Sequence, residues 1–109
     1  MAMNAARLKE ENRRYRGTGG VSERNRSDGF APAFLDSESG AIHPSCLADG
    51  SPAPCHCLDG LPAPLVTGRD ASGRVVAVRS CVVAGFVRDG VFYTREQAAR
   101  AVAIAECGP

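Results

Sequence analysis

Cys81-Val82-Val83-Ala84-Gly85-Phe86-Val87-Arg88-Asp89-Gly90-Val91-Phe92-Tyr93-Thr94-Arg95-Glu96-Gln97 is the stretch on which the fold turns. Residues 81–87 are rich in β-formers, and Asp89-Gly90 is a favoured two-residue hairpin turn into Val91-Phe92-Tyr93. Thr94-Arg95-Glu96-Gln97 then reads as a capping box, with a Thr hydroxyl and a Gln side chain placed to satisfy each other's backbone N–H groups. The helix it opens, residues 94–106, carries Ala98, Ala101, Val102 and Ala105 on one apolar face. A hairpin followed directly by a helix with one apolar face predicts a sheet covered on one side by that helix.

Working back toward the amino terminus, Leu65–Arg69 and Arg74–Arg79 flank Asp70-Ala71-Ser72-Gly73, a second hairpin signal. Residues 44–64 hold five prolines, so extended and turn geometry is expected there and regular helix is not. Ala41-Ile42-His43 reads as a short strand after the turn cluster Asp36-Ser37-Glu38-Ser39-Gly40. Phe30–Leu35 reads as a strand that Pro32 consigns to an edge or a bulge.

Ala2–Arg16 predicts a helix whose apolar stripe is thin (Ala5, Leu8, Asn12 and Tyr15) and which ends at Gly17-Thr18-Gly19-Gly20. That glycine run has no strand before it and no Lys-Ser/Thr after it, so it is read as a linker and not as a phosphate loop. The expected architecture is a small α+β fold: a mainly antiparallel sheet built from hairpins, a carboxy-terminal helix packed on one face, and a loosely attached amino-terminal helix. Residues 1–28 form a basic arm and residues 29–109 the domain proper.

At 109 residues the chain has material for one core. That core is aliphatic, since tryptophan is absent and 6% of residues are aromatic. Twelve arginines against a single lysine, with abundant Ala, Gly and Pro, resemble the usage of GC-rich bacterial genomes. The net charge of +1 conceals an asymmetry. Residues 1–26 carry seven basic and three acidic side chains, and the remainder six basic and nine acidic ones. Met1–Ala6 runs into Arg7-Leu8-Lys9-Glu10-Glu11 with no apolar core of a secretion signal, and no apolar run is long enough to span a bilayer. An odd count of five cysteines fits an oxidised framework poorly, so a cytoplasmic protein with no membrane partner is expected.

Two features carry chemistry. Both histidines and three of the five cysteines lie between residues 43 and 57. His43, Cys46, Cys55 and Cys57 make a His-Cys₃ ligand set suited to a structural zinc, although C-x₈-C-x-C is not a familiar zinc spacing. In an extended segment Cys55 and Cys57 share one side and His56 faces the other. The alternatives are cysteines acting as small buried hydrophobes, or a thiol-dependent or metal-dependent activity centred on residues 43–57. The second feature is the arm: Arg13, Arg14, Tyr15, Arg16, Arg24 and Arg26 offer phosphate-binding cations with one stacking ring, for a nucleic acid or an acidic protein surface. No catalytic set emerges. The sequence therefore points to a small non-enzymatic bacterial module docking on a macromolecule, a protein before a nucleic acid, with zinc as its one candidate cofactor.

Overall fold

The computed structural model describes residues 4–15 and 29–107. In chain order the elements are α1 (Ala5–Arg14), β1 (Ala31–Asp36), β2 (Ile42–Pro44), β3 (Val66–Arg69), β4 (Val75–Val78), β5 (Val82–Arg88), β6 (Val91–Thr94) and α2 (Arg95–Cys107). The α+β architecture expected from the sequence is the one observed. Strands β2-β1-β5-β6 form a four-stranded antiparallel sheet, and β3-β4 a two-stranded one of its own.

Local chemistry explains the carboxy-terminal unit. Asp89 and Gly90 both take positive φ, +53° and +77°, the conformation a two-residue turn with right-handed strand twist demands. The capping box closes as its residue types dictate: Thr94 Oγ1 accepts from the Gln97 N–H at 3.1 Å, and Gln97 Oε1 accepts from the Thr94 N–H at 2.9 Å. Ala98 and Val102 are buried against the sheet, as the helical periodicity predicts.

Strand β5 is central, pairing with β1 from Ala31↔Val87 to Asp36↔Val82 and with β6 from Gly85↔Thr94 to Arg88↔Val91. β1 lies between β2 and β5 with no register shift, so Pro32, opposite Phe86, occupies neither the edge strand nor the bulge expected of it; it lies just beyond the β1–β2 register, where its carbonyl accepts from the Ser45 N–H at 2.8 Å. The two-residue period puts Val82, Ala84 and Phe86 on one face of β5, and two apolar clusters lie along that face. One gathers Phe34, Val82 and Ala84 with Leu58, Leu61, Leu65, Val75 and Val78 from the second hairpin and the short 3₁₀ turns before it. The other gathers Phe30, Phe86, Ala98 and Val102 under α2.

Helix α1 is capped by Asn4, whose side chain accepts from the Arg7 N–H at 2.7 Å. The thin stripe translates into a thin attachment, with Leu8 its one buried residue, set into the larger cluster. A backbone bridge from Asn4 to Ala77 fixes the helix start against β4. Residues 16–28, which include Arg16, Arg24 and Arg26 of the basic arm, lie outside the described residues.

Candidate functional site: the groove between helix α1 and the cysteine segment

Ser45, buried just after β2, organises the proline-rich segment. Its hydroxyl donates to the Cys55 carbonyl at 2.9 Å and accepts from the Cys57 N–H at 2.7 Å, while its carbonyl accepts from the Ala53 N–H at 3.0 Å. A backbone bridge between Cys46 and Pro52 closes the loop in between. With residues 55 and 57 both hydrogen-bonded to one serine, the intervening His56 is directed inward.

His56 fills the seam between the two apolar clusters, edge-on to Phe34 at 5.3 Å and to Phe86 at 5.0 Å between ring centres. Nε2 lies 2.6 Å from the Gly85 carbonyl oxygen, and Nδ1 lies 3.2 Å from an Arg95 guanidinium nitrogen. A carbonyl can only accept and a guanidinium can only donate. The ring is therefore neutral, protonated at Nε2, with Nδ1 accepting from Arg95. Burial is the larger cause, and the Arg95 charge the next, that lower the His56 pKa from 6.5 to about 4.

Arg95, 3% exposed, is the hub of this network. Beyond His56 it donates to Glu11 Oε1 at 3.1 Å and to Asn12 Oδ1 at 2.7 Å, and its guanidinium stands over the Phe86 ring at 5.9 Å. Burial lowers its pKa and the Glu11 carboxylate opposes that shift. It thus joins α2 to α1 and to the proline-rich segment. The sequence reading missed this hub, though two signals pointed to it. Arg95 is the first residue of a helix, where the macrodipole disfavours a cation, so a compensating anion was to be sought. Gly85 sits inside a strand, where a Cβ would collide with the Tyr93 carbonyl and the Phe92 ring, marking a close backbone approach.

The cysteines face the other way. Cys55 is exposed and Cys46 and Cys57 are half-buried. Cysteine as buried hydrophobe therefore fails at these three positions; Cys81, outside the segment, is buried. The Cys46 thiol donates to the Pro44 carbonyl at 3.4 Å, and the Cys57 thiol lies 3.8 Å from Asp59 Oδ2. His43 stands on β2 opposite Phe34. Among the described residues, the one set of three or more His, Cys, Asp or Glu side chains with ligand atoms within 4.8 Å of one another is Asp36, Glu38 and Cys81. His43, Cys46, Cys55 and Cys57 are not brought together as such a set.

Between α1 and this segment runs a groove of about 430 Å³, lined by Ala5, Leu8, Lys9 and Asn12 on one side and Ala53, Cys55, His56, Cys57 and Leu58 on the other. Positions 5, 8, 9 and 12 are one face of a helix, so the thin stripe of α1 serves as one wall. Asp59 closes one end, with Oδ2 3.1 Å from Arg74 and Oδ1 accepting from the Val75 N–H at 2.8 Å. The arginines of the arm that are described, Arg13 and Arg14, lie in the last turn of α1, where Arg13 pairs with Glu10 and Arg14 stands 5.4 Å from the Tyr15 ring.

A second concavity, about 310 Å³, separates β6 from α2 and is lined by Val91, Phe92, Tyr93, Gln97, Arg100, Ala101 and Ile104. Comparison of the chain with protein-family models, with curated proteins and with solved structures finds no match. No helix among the described residues is long and apolar enough to cross a membrane.

Proposed function

We propose that the chain is a small non-enzymatic bacterial module of the cytoplasm that docks on a protein partner, using the face where β6 meets α2. The observation that carries this reading is apolar surface left open at a sheet edge. Among the described residues β6 pairs only with β5, which leaves one side of its backbone unmatched, and Val91 on it and Ile104 on α2 are 54% and 67% exposed. A strand edge with unpaired N–H and C=O groups next to apolar side chains suits strand addition or a docked helix. Arg100, ion-paired with Glu96 at 2.9 Å, supplies a polar rim. The buried His56–Arg95 network serves this role by holding α2 rigidly on the sheet.

Site-specific photo-crosslinking tests the reading. A benzophenone side chain at Val91 or Ile104, in cells that express the protein naturally, is expected to trap one discrete partner. The Ile104 adduct should vanish when Val91 is also changed to Lys, and a probe at exposed Arg69 on β3 should give none. Equal trapping from all three positions, or none from 91 and 104, defeats the reading. Zinc would enter as a structural addition: His43, Cys46, Cys55 and Cys57 would converge only if residues 46–57 rearranged. Metal content after purification under reducing conditions reads that directly.

A further inference from the structure

We propose that the groove between α1 and residues 53–58 is a binding site for a small amphiphilic monocarboxylate, its apolar body between Leu8 and Leu58 and its carboxylate on Lys9. The site is separate from the β6–α2 face and does not depend on the docking reading.

The groove is lined largely by apolar side chains, Ala5, Leu8, Leu47, Ala53, Leu58 and Val75, and its volume of about 430 Å³ lies in the range of small-ligand sites. Its charges are few. Arg74 is held by Asp59 at the far end, which cancels both. Lys9, the one lysine of the chain, lines the groove, is exposed, and makes no ion pair among the described residues. The groove therefore carries one uncompensated positive charge at the edge of an apolar trough. One ammonium balances a single carboxylate, whereas a phosphate group, at about −1.5 to −2 near neutral pH, would leave charge uncompensated beside the apolar walls. The floor is pre-formed: Ser45 fixes the backbone of Cys55 and Cys57, and His56 is held by Gly85 and Arg95. A ligand would meet walls already in place, which lowers the ordering cost of binding.

Decanoate, decanol and decylamine, each added to the full chain below its micelle concentration, separate the apolar and charged contributions. Binding is read by amide chemical shifts and by the alkylation rate of Cys55, whose exposed thiol lines the groove, followed by mass spectrometry. Decanoate is expected to saturate, to shift Leu8, Ala53, Leu58 and Val75, and to protect Cys55; decanol should bind more weakly and decylamine weakest. Lys9→Glu, at an exposed position that leaves the core untouched, should weaken decanoate about tenfold and spare decanol. Shifts confined to Val91–Ile104, no saturable binding, or decanoate affinity unchanged in Lys9→Glu would each overturn the proposal. So would binding to anionic lipid vesicles with none to monomeric decanoate.

Discussion

Acidification should destabilise this protein in a pH window set by one histidine. The unfolded chain protonates His56 near its ordinary value of 6.5, whereas the folded protein resists protonation down to about 4. Between those values the unfolded state binds the proton first, so stability falls as pH drops through 6.5 and the loss levels off below about 4. The full gap is worth about 3 kcal/mol at ~1.4 kcal/mol per pH unit. From about pH 7.5 to about pH 4.5 the loss should reach roughly 2.5 kcal/mol, or a fall of ~10 °C or more in melting temperature for a domain of this size. Asp36, Asp49 and Asp70 do not blur the window. Side-chain hydrogen bonds from Cys81, Ser51 and Ser72 respectively hold their pKa values below the usual 3.8, so their contribution is lost only at lower pH. Urea unfolding across the pH series measures the slope. His56→Gln keeps an N–H for the Gly85 carbonyl but cannot titrate, so it should be less stable at neutral pH and flat through the window. A flat profile in the parent protein, or an equal slope in His56→Gln, would refute the buried neutral imidazole.

Arg95→Met should cost about 2–3 kcal/mol in urea unfolding, because it leaves the His56 Nδ1 lone pair and Asn12 Oδ1 without their donor and Glu11 with Arg7 alone; the acid transition should keep its onset near pH 6.5 but level off at higher pH with a smaller amplitude, since one of the two causes of the lowered pKa is gone. Leu8→Ala should cost about 2–3 kcal/mol and speed amide exchange in α1 ahead of the sheet, whereas comparable exchange rates throughout would show that the helix is no separate unit. Thr94→Ala should cost about 1 kcal/mol through the lost cap, and Val102→Asp should unfold the domain; a cooperatively folded Val102→Asp protein would mean that α2 docks by another face. A chelator should leave the melting temperature unchanged, and so should Cys55→Ser, because the thiol is exposed and the four expected ligands are not gathered; a drop of more than about 5 °C with either would restore the zinc set.

What could be read from the sequence was what neighbouring residues decide among themselves. The Asp89-Gly90 turn, the Thr94–Gln97 box and the alternation that sends His56 inward and the thiols outward are all settled within a few residues. Arg95 at a helix start and Gly85 inside a strand hinted at the hub, but the pairing of His56, Arg95 and Glu11 was not legible, because they stand 39 and 84 residues apart and no local pattern pairs them. The same holds for the separation of β3-β4 into its own sheet, since hairpin signals fix partners within the hairpin and say nothing of which sheet its edges join. The His-Cys₃ set was drawn from proximity along the chain. Proximity in space was decided by Ser45, a residue without metal chemistry.

The position of β5 at the centre of its sheet has a consequence for synthesis. β1 can pair with β5 only when residues 82–88 have been made, and the Arg95 that receives α1 follows later still. Until then the described residues before β3 have, as native pairing among themselves, the short β1-β2 hairpin and the Cys46–Pro52 bridge. The sheet closes only once residues 91–94 have emerged, and α1, which precedes every other described element, is among the last to find its place. Such a nascent chain spends its synthesis with Phe30, Phe34 and Leu8 uncovered, and folding slowed by these distant pairings leaves a window in which chaperones would engage it.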